Sequence, residues 1–177
     1  MKKIHIWFTG LYLLLSVGVM GQGSLSSVNF DGTNDYIDIS TYVNMSPTNA
    51  VTIEAWIKGN MPSSTGFIYD RVEQNDGFGL IVTSTGNLRL TINGGLQFTT
   101  TSAIVTDGLW HHVAGTYDRN AGMMYVYIDG ILEDSAAYSS FITYSPEPRN
   151  SIGGTGPSST YFNGEIDEVR VWNLARS

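Results

Sequence analysis

The sequence contains no cysteine. Disulfides are therefore excluded, and so is an anchor built on a lipid-modified cysteine. Charge is scarce too: 14% of the 177 residues are Asp, Glu, Lys or Arg, against 42% hydrophobic residues. That balance excludes a disordered tail and suits a packed domain with an uncharged polar surface. The basic sign is the rarer one, 9 residues against 16 acidic, for a net charge of −7. An acidic surface repels phosphate backbones, so nucleic acid is not an expected partner. No Lys/Arg-rich run offers a patch for a membrane surface. The chain also lacks a Gly-x-Ser-x-Gly elbow, a Gly-x-Gly-x-x-Gly fingerprint and a phosphate loop ending in Lys-Ser/Thr.

The first residues form a leader. Lys2 and Lys3 precede an apolar stretch from Ile6 to Met20, broken by Thr9, Gly10, Ser16 and Gly18. Val19-Met20-Gly21 followed by Gln22 supplies a cleavage site. This is the layout of a secretory signal peptide. The apolar run is short for a bilayer span and no basic stop-transfer cluster follows it. We expect residues 1–21 to be removed, leaving a single secreted domain over 22–177 with no membrane span. Cleavage takes two of the 9 basic residues and moves the net charge from −7 to −9. About 155 residues bury roughly 68–70% of their unfolded surface, so the core needs no covalent staple.

After the leader no convincing helical period appears, and period-2 alternation takes its place. In Val51-Thr52-Ile53-Glu54-Ala55-Trp56-Ile57-Lys58 every odd position is apolar. In Leu88-Arg89-Leu90-Thr91-Ile92-Asn93 the even positions are apolar, and Met124-Tyr125-Val126-Tyr127-Ile128 places tyrosines on the second face. Shorter strands fit at Val28–Phe30, Tyr36–Ile39, Phe78–Val82, Val113–Tyr117 and Glu165–Trp172. The dipeptides Asp31-Gly32, Asp76-Gly77, Gly94-Gly95, Asp107-Gly108 and Asp129-Gly130 tolerate positive φ and punctuate these runs. Many short strands at close spacing predict an all-β sandwich or barrel. Residues 59–65 and 145–160 read as long loops.

Five segments occur in the order of a known family. They are Val28-Asn29-Phe30-Asp31-Gly32-Thr33-Asn34-Asp35-Tyr36, Val51 to Ile57, Trp110-His111-His112-Val113-Ala114-Gly115-Thr116-Tyr117-Asp118, Tyr125-Val126-Tyr127-Ile128-Asp129-Gly130, and Asn163 to Trp172. Together they resemble the laminin G-like, concanavalin A-like jelly-roll domains. The resemblance implies a two-sheet antiparallel jelly-roll sandwich with its first and last strands side by side. It also implies a secreted module that binds carbohydrate or protein, and a structural calcium ion held by Asp31, Gly32 and Asp167. Calcium takes six to eight oxygen ligands, which carboxylates and turn carbonyls supply.

Three further constellations bear on chemistry. Related laminarinase-like enzymes carry Glu-x-Asp-x-x-Glu on one strand. Here Glu165-Ile166-Asp167-Glu168-Val169-Arg170 puts Arg170 where the second glutamate is needed, and arginine cannot act as a general acid. We therefore expect no glycoside hydrolase or lyase chemistry from this motif. His111 and His112 are adjacent, so on a regular strand they face opposite ways and cannot share a metal; a hydrogen-bonded structural histidine is expected. A ligand face is expected from Tyr69, Asp70, Arg71, Arg89, Tyr125 and Tyr127, because sugar recognition joins aromatic platforms to polar groups. The expected partner is a glycan, or alternatively a cell-surface protein bound by an adhesion module of a larger assembly.

Overall fold

The computed structural model describes residues 26–40, 46–47, 49–60, 65–73, 76–94, 96–99, 104–145, 149–155 and 160–176. The leader lies outside them. Among the described residues twelve strands form two six-stranded antiparallel sheets. The first sheet runs in the order β1 (Val28–Asp31), β12 (Asn163–Trp172), β3 (Ala50–Gly59), β8 (His111–Asp118), β9 (Met123–Ile128), β10 (Ile131–Ala137). The second runs β2 (Ile37–Asp38), β11 (Ser151–Ile152), β4 (Gly66–Glu73), β5 (Asp76–Val82), β6 (Leu88–Ile92), β7 (Leu96–Thr99). The first and last strands pair, as the resemblance implied, with Val28 opposite Ile166 and Asp31 opposite Asn163. No helix of the described residues is long and apolar enough to cross a membrane.

Much of the core is the set that alternation picked out. Val51, Ile53, Ala55 and Ile57 from β3 meet Leu88, Leu90 and Ile92 from β6 and Met124, Val126 and Ile128 from β9. Gly115 lies under Leu80 and Leu90, whose methyl groups a side chain at that position would strike. Two strands break their own period. In β12, Asp167 pairs with Trp56 and Arg170 with Glu54, so two residues oppose Ala55. This bulge, with Glu168 at φ +52°, moves the inward positions from Ile166 to Val169 and Val171. In β4, Phe67 pairs with Ile81 and Tyr69 with Leu80, which leaves Ile68 as the extra residue. Both Ile68 and Tyr69 consequently join the core.

The strand β11 falls inside the stretch 145–160 that reads as a loop, and it links β2 to β4. Strand β10 is an edge strand that alternation did not reveal. Its pattern is largely exposed, it carries Glu133 and Asp134, and it has its own irregularity between Leu132 and Asp134. Charges and bulges of this kind discourage edge-to-edge pairing.

Candidate functional site

The six residues expected to share a ligand face do not share one. Arg71 pairs with Phe78, a core residue, and Tyr69 is itself in the core. Both point inward at the end of the sandwich. Tyr69 Oη donates to Asn150 Oδ1 at 3.1 Å, and the Arg71 guanidinium donates to the same oxygen at 3.1 Å and to Ser46 Oγ at 2.9 Å. The guanidinium also lies 4.8 Å from the centre of the Tyr144 ring. Burial pushes the Tyr69 hydroxyl well above the ordinary phenol range, with Arg71 pulling the other way. This is a buried structural network, since a charge taken out of water must be hydrogen-bonded.

The other four divide between the two outer surfaces. Asp70 is in register with Gly79, and Arg89 with Ile81, on the outward side of the second sheet. Asp70 is nonetheless only 1% exposed, and its Oδ1 accepts the Val72 N–H at 2.8 Å. Tyr125 and Tyr127 stand half-buried on the outward side of the first sheet, with ring centres 6.4 Å apart. The expectation of one common surface is corrected by register: an inward partner strand and a bulge decide which way a side chain faces.

Asp31, Gly32 and Asp167 do not converge either. Asp31 lies opposite Asn163, and Asp167 is four residues further along the same strand. At the usual rise that is roughly 13 Å, whereas two ligands of one calcium sit within about 5 Å of each other. Each carboxylate also closes its own turn. Asp31 Oδ1 accepts the Thr33 N–H at 2.7 Å, and Asp167 Oδ1 accepts the Glu168 N–H at 2.8 Å. Gly32 is needed at φ +76°, where a side chain would meet Asn163 at 2.8 Å. These three residues do not fit a common ion. Among the described residues no group of three or more His, Asp or Glu side chains is arranged to hold a metal ion.

His111 and His112 separate as expected. His112 meets Trp56 edge to face at 5.5 Å on the outward side of the first sheet. His111 bridges two turns, with Nδ1 2.8 Å from Asp129 Oδ2 and Nε2 3.1 Å from Asp107 Oδ1. Burial pulls its pKa down, but the hydrogen bonds and charges of Asp129 and Asp107 outweigh that and leave it raised. The stretch from Glu165 to Arg170, from which no catalysis is expected, is tied up in ion pairs. Arg170 contacts Glu54 at 3.7 Å and pairs with Glu168, while Glu165 binds Lys58 at 3.2 Å and accepts from Ser27 at 2.6 Å.

A cleft that the sequence reading did not single out lies at the β2–β11 edge of the second sheet. It is lined by Tyr36, Asp38, Ser40, Arg149, Asn150, Ser151 and Thr155 and encloses about 140 Å3. Register builds it: Asp38 is opposite Ser151, which is opposite Asp70. Ile39 N donates to Asn150 O at 2.9 Å and Asn150 N donates to Ser40 Oγ at 3.1 Å, which fixes one wall. Asp38 Oδ1 accepts the Ser40 N–H at 2.9 Å, and that bond holds the carboxyl below its ordinary range. Arg149 donates to Thr155 O at 3.3 Å. Tyr36 is 43% exposed, so its ring is open to a ligand. The cleft thus joins one aromatic ring, one carboxylate, one guanidinium and several hydroxyls. It is smaller than the pockets that engulf a drug-sized ligand, roughly 300–1,000 Å3.

Comparison with known proteins agrees with this architecture. The rat sushi, von Willebrand factor type A, EGF and pentraxin domain-containing protein 1 is 28% identical over 139 residues, covering 73% of this chain. The chain spans only 4% of that relative's length. A crystal structure of a putative carbohydrate binding protein from Bacteroides ovatus superposes with a TM-score of 0.72 at 23% identity, covering 85% of this chain and 44% of that one. The sialidase CBM40 of Ruminococcus gnavus, solved bound to alpha2,3 sialyllactose, superposes with a TM-score of 0.66 at 18% identity, covering 88% and 95%. At these identities the superpositions establish the fold. The sequence model for the laminin G-type family, described as the concanavalin A-like lectin/glucanases superfamily, matches residues 31–177, and the chain belongs to that family.

Proposed function

We propose that this protein is a secreted, non-catalytic module that binds a glycan at the β2–β11 cleft. The observation that carries this is the open ring of Tyr36 beside the Asp38 carboxylate and the Arg149 guanidinium. A pyranose stacks its apolar face on such a ring and gives its hydroxyls to such groups. The small volume suits one sugar unit, with the rest of the ligand outside. The carbohydrate-binding proteins among the superposed structures support the ligand class. The leader supports export. Among the described residues lining the cleft Asp38 is the one carboxylate, and hydrolysis of a glycoside uses a pair.

Calorimetry against glycans selected on an array tests this reading. Tyr36→Ala and Asp38→Asn are each expected to weaken binding about tenfold or more with an unchanged melting midpoint, the scale of one lost stacking or charged hydrogen bond. Retention by no glycan would shift the assignment to protein adhesion. That second reading has its own observation: Leu109, Ile131 and Leu132 are 63%, 64% and 49% exposed. Release of reducing sugar from a polysaccharide would overturn the non-catalytic assignment.

A further inference from the structure

The outward face of the first sheet carries a trough, remote from the cleft. Its floor is Thr52 and Glu54 on β3, and Ala114 and Thr116 on β8. Tyr125 and Tyr127 form one wall, in register with Thr116 and Ala114. Trp172 and Arg170 form the other, in register with Thr52 and Glu54. Trp56 and His112 close one end.

The protein's own chain occupies the other end. Beyond Trp172 the backbone turns back across the sheet. Thr52 Oγ1 donates to Leu174 O at 2.9 Å and accepts the Arg176 N–H at 3.0 Å, and Thr116 Oγ1 donates to Arg176 O at 3.3 Å. The Arg176 guanidinium lies 4.3 Å from the Trp172 ring centre and 3.3 Å from Glu54 Oε1. The two threonine hydroxyls are 1% and 2% exposed residues on what would otherwise be an open face. All three hydroxyl contacts go to main-chain atoms of residues 174 and 176, so they read a polypeptide backbone regardless of side chain. The ring of Trp172 with the Glu54 carboxylate reads a guanidinium, by a stacked cation and an ion pair.

We propose that this trough is a docking groove for an arginine-bearing polypeptide segment, and that residues 174–176 are its internal occupant. The net charge of −7 favours a cationic segment over an acidic one. A tethered segment has an effective concentration of about 1 mM. For it to stay seated, the same sequence supplied separately must bind with a Kd of about 1 mM or tighter. A partner that adds contacts to Tyr125 and Tyr127 displaces it.

The experiment uses a chain ending at Asn173 and a peptide reproducing residues 173–177, followed by NMR shifts of Thr52, Thr116 and the Trp172 indole. The expected Kd is about 1 mM or lower. Glu54→Gln in the shortened chain is expected to weaken binding about fivefold, the loss of one ion pair. A peptide with glutamate in place of its arginine should leave the signals unmoved, and the full chain should bind the arginine peptide more weakly than the shortened one. If the shortened chain fails to fold, Arg176→Glu in the full chain loosens the occupant instead and should raise peptide affinity. The proposal falls if a folded shortened chain shows no binding at about 10 mM peptide, well past the tethered concentration. It falls equally if both peptides bind alike, if Arg176→Glu changes nothing, or if an oligosaccharide moves these signals and the peptide does not.

Discussion

Tyr69 with Arg71, and Tyr125 with Tyr127, have the same two-residue spacing, each on a single strand. The first pair points into the sandwich and the second out of it. Residue type does not separate them, since all four are large and carry polar ends. Partner strands do. Strand β4 pairs with Phe78 and Leu80 and holds an extra residue, whereas β9 keeps strict alternation against β8. An inward polar end then needs an inward partner, and Asn150, just ahead of the neighbouring strand β11, provides it. Facing is thus a property of long-range register, and polar satisfaction follows from it.

The largest expected effect tests this contrast. Tyr69→Ala empties a fully buried site and should cost about 3–5 kcal/mol in urea unfolding, as large aromatic truncations in cores do. Tyr127→Ala removes a half-buried ring from an outer face and should cost about 1 kcal/mol. Equal losses would break the distinction between the two pairs. Next in size is Asn150→Ala, which strips the shared acceptor from Tyr69 and Arg71. Leaving buried donors unsatisfied should cost about 2–3 kcal/mol. Arg71→Met should cost clearly less, because the buried charge leaves with its hydrogen bonds. If Arg71→Met is the worse of the two, the guanidinium contributes more than a satisfied buried donor.

Much of the fold was legible from alternation, and the reasons for the rest are physical. The period of β3, β6 and β9 picked out Val51, Ile53, Leu88, Leu90, Met124 and Val126, all now in the core. A bulge shifts parity, so the strand at Glu165–Trp172 was legible but the inward positions Ile166, Val169 and Val171 follow no single alternation, and Tyr69 read as outward. An exposed edge strand such as β10 has no buried face to impose a pattern. A two-residue strand such as β11 is too short to show one. The cleft suffered most, because Tyr36 and Asp38 lie more than a hundred residues from Arg149 and only the long-range β2–β11 edge brings the two segments together. The open ring of Tyr36 ahead of the short β2 strand was the available signal.

A smaller effect concerns the turns at one end of the first sheet. Both ring nitrogens of His111 face carboxylates, and a neutral imidazole has a single N–H. The imidazolium satisfies both, which is why the pKa is raised over the opposing pull of burial. The stabilisation is therefore fully present below the unfolded value near 6.5 and is lost as pH rises through the higher folded value. Its size should stay under about 1 kcal/mol, because both carboxylates are largely exposed and solvent screens the pair. Stability curves of the wild type and His111→Gln, measured across that window, should converge at the alkaline end. A gap that widens with pH would contradict the bridge.

The smallest effect is an expected lack of coupling, and it bears on the β1–β12 pair and the bulge in β12. If one calcium ion joined Asp31 to Asp167, then Asp31→Asn and Asp167→Asn would each abolish the same calcium-dependent shift in melting midpoint, and the double variant would add nothing. The register instead places the two carboxylates four residues apart along β12, each closing its own turn. The two substitutions should therefore act independently, each costing a few tenths of a kcal/mol to about 1 kcal/mol for a lost turn hydrogen bond. Melting scans of the single and double variants, with calcium and with excess chelator, read this directly. Non-additivity that appears only when calcium is present would bring the two carboxylates together in a way the β1–β12 pairing does not allow.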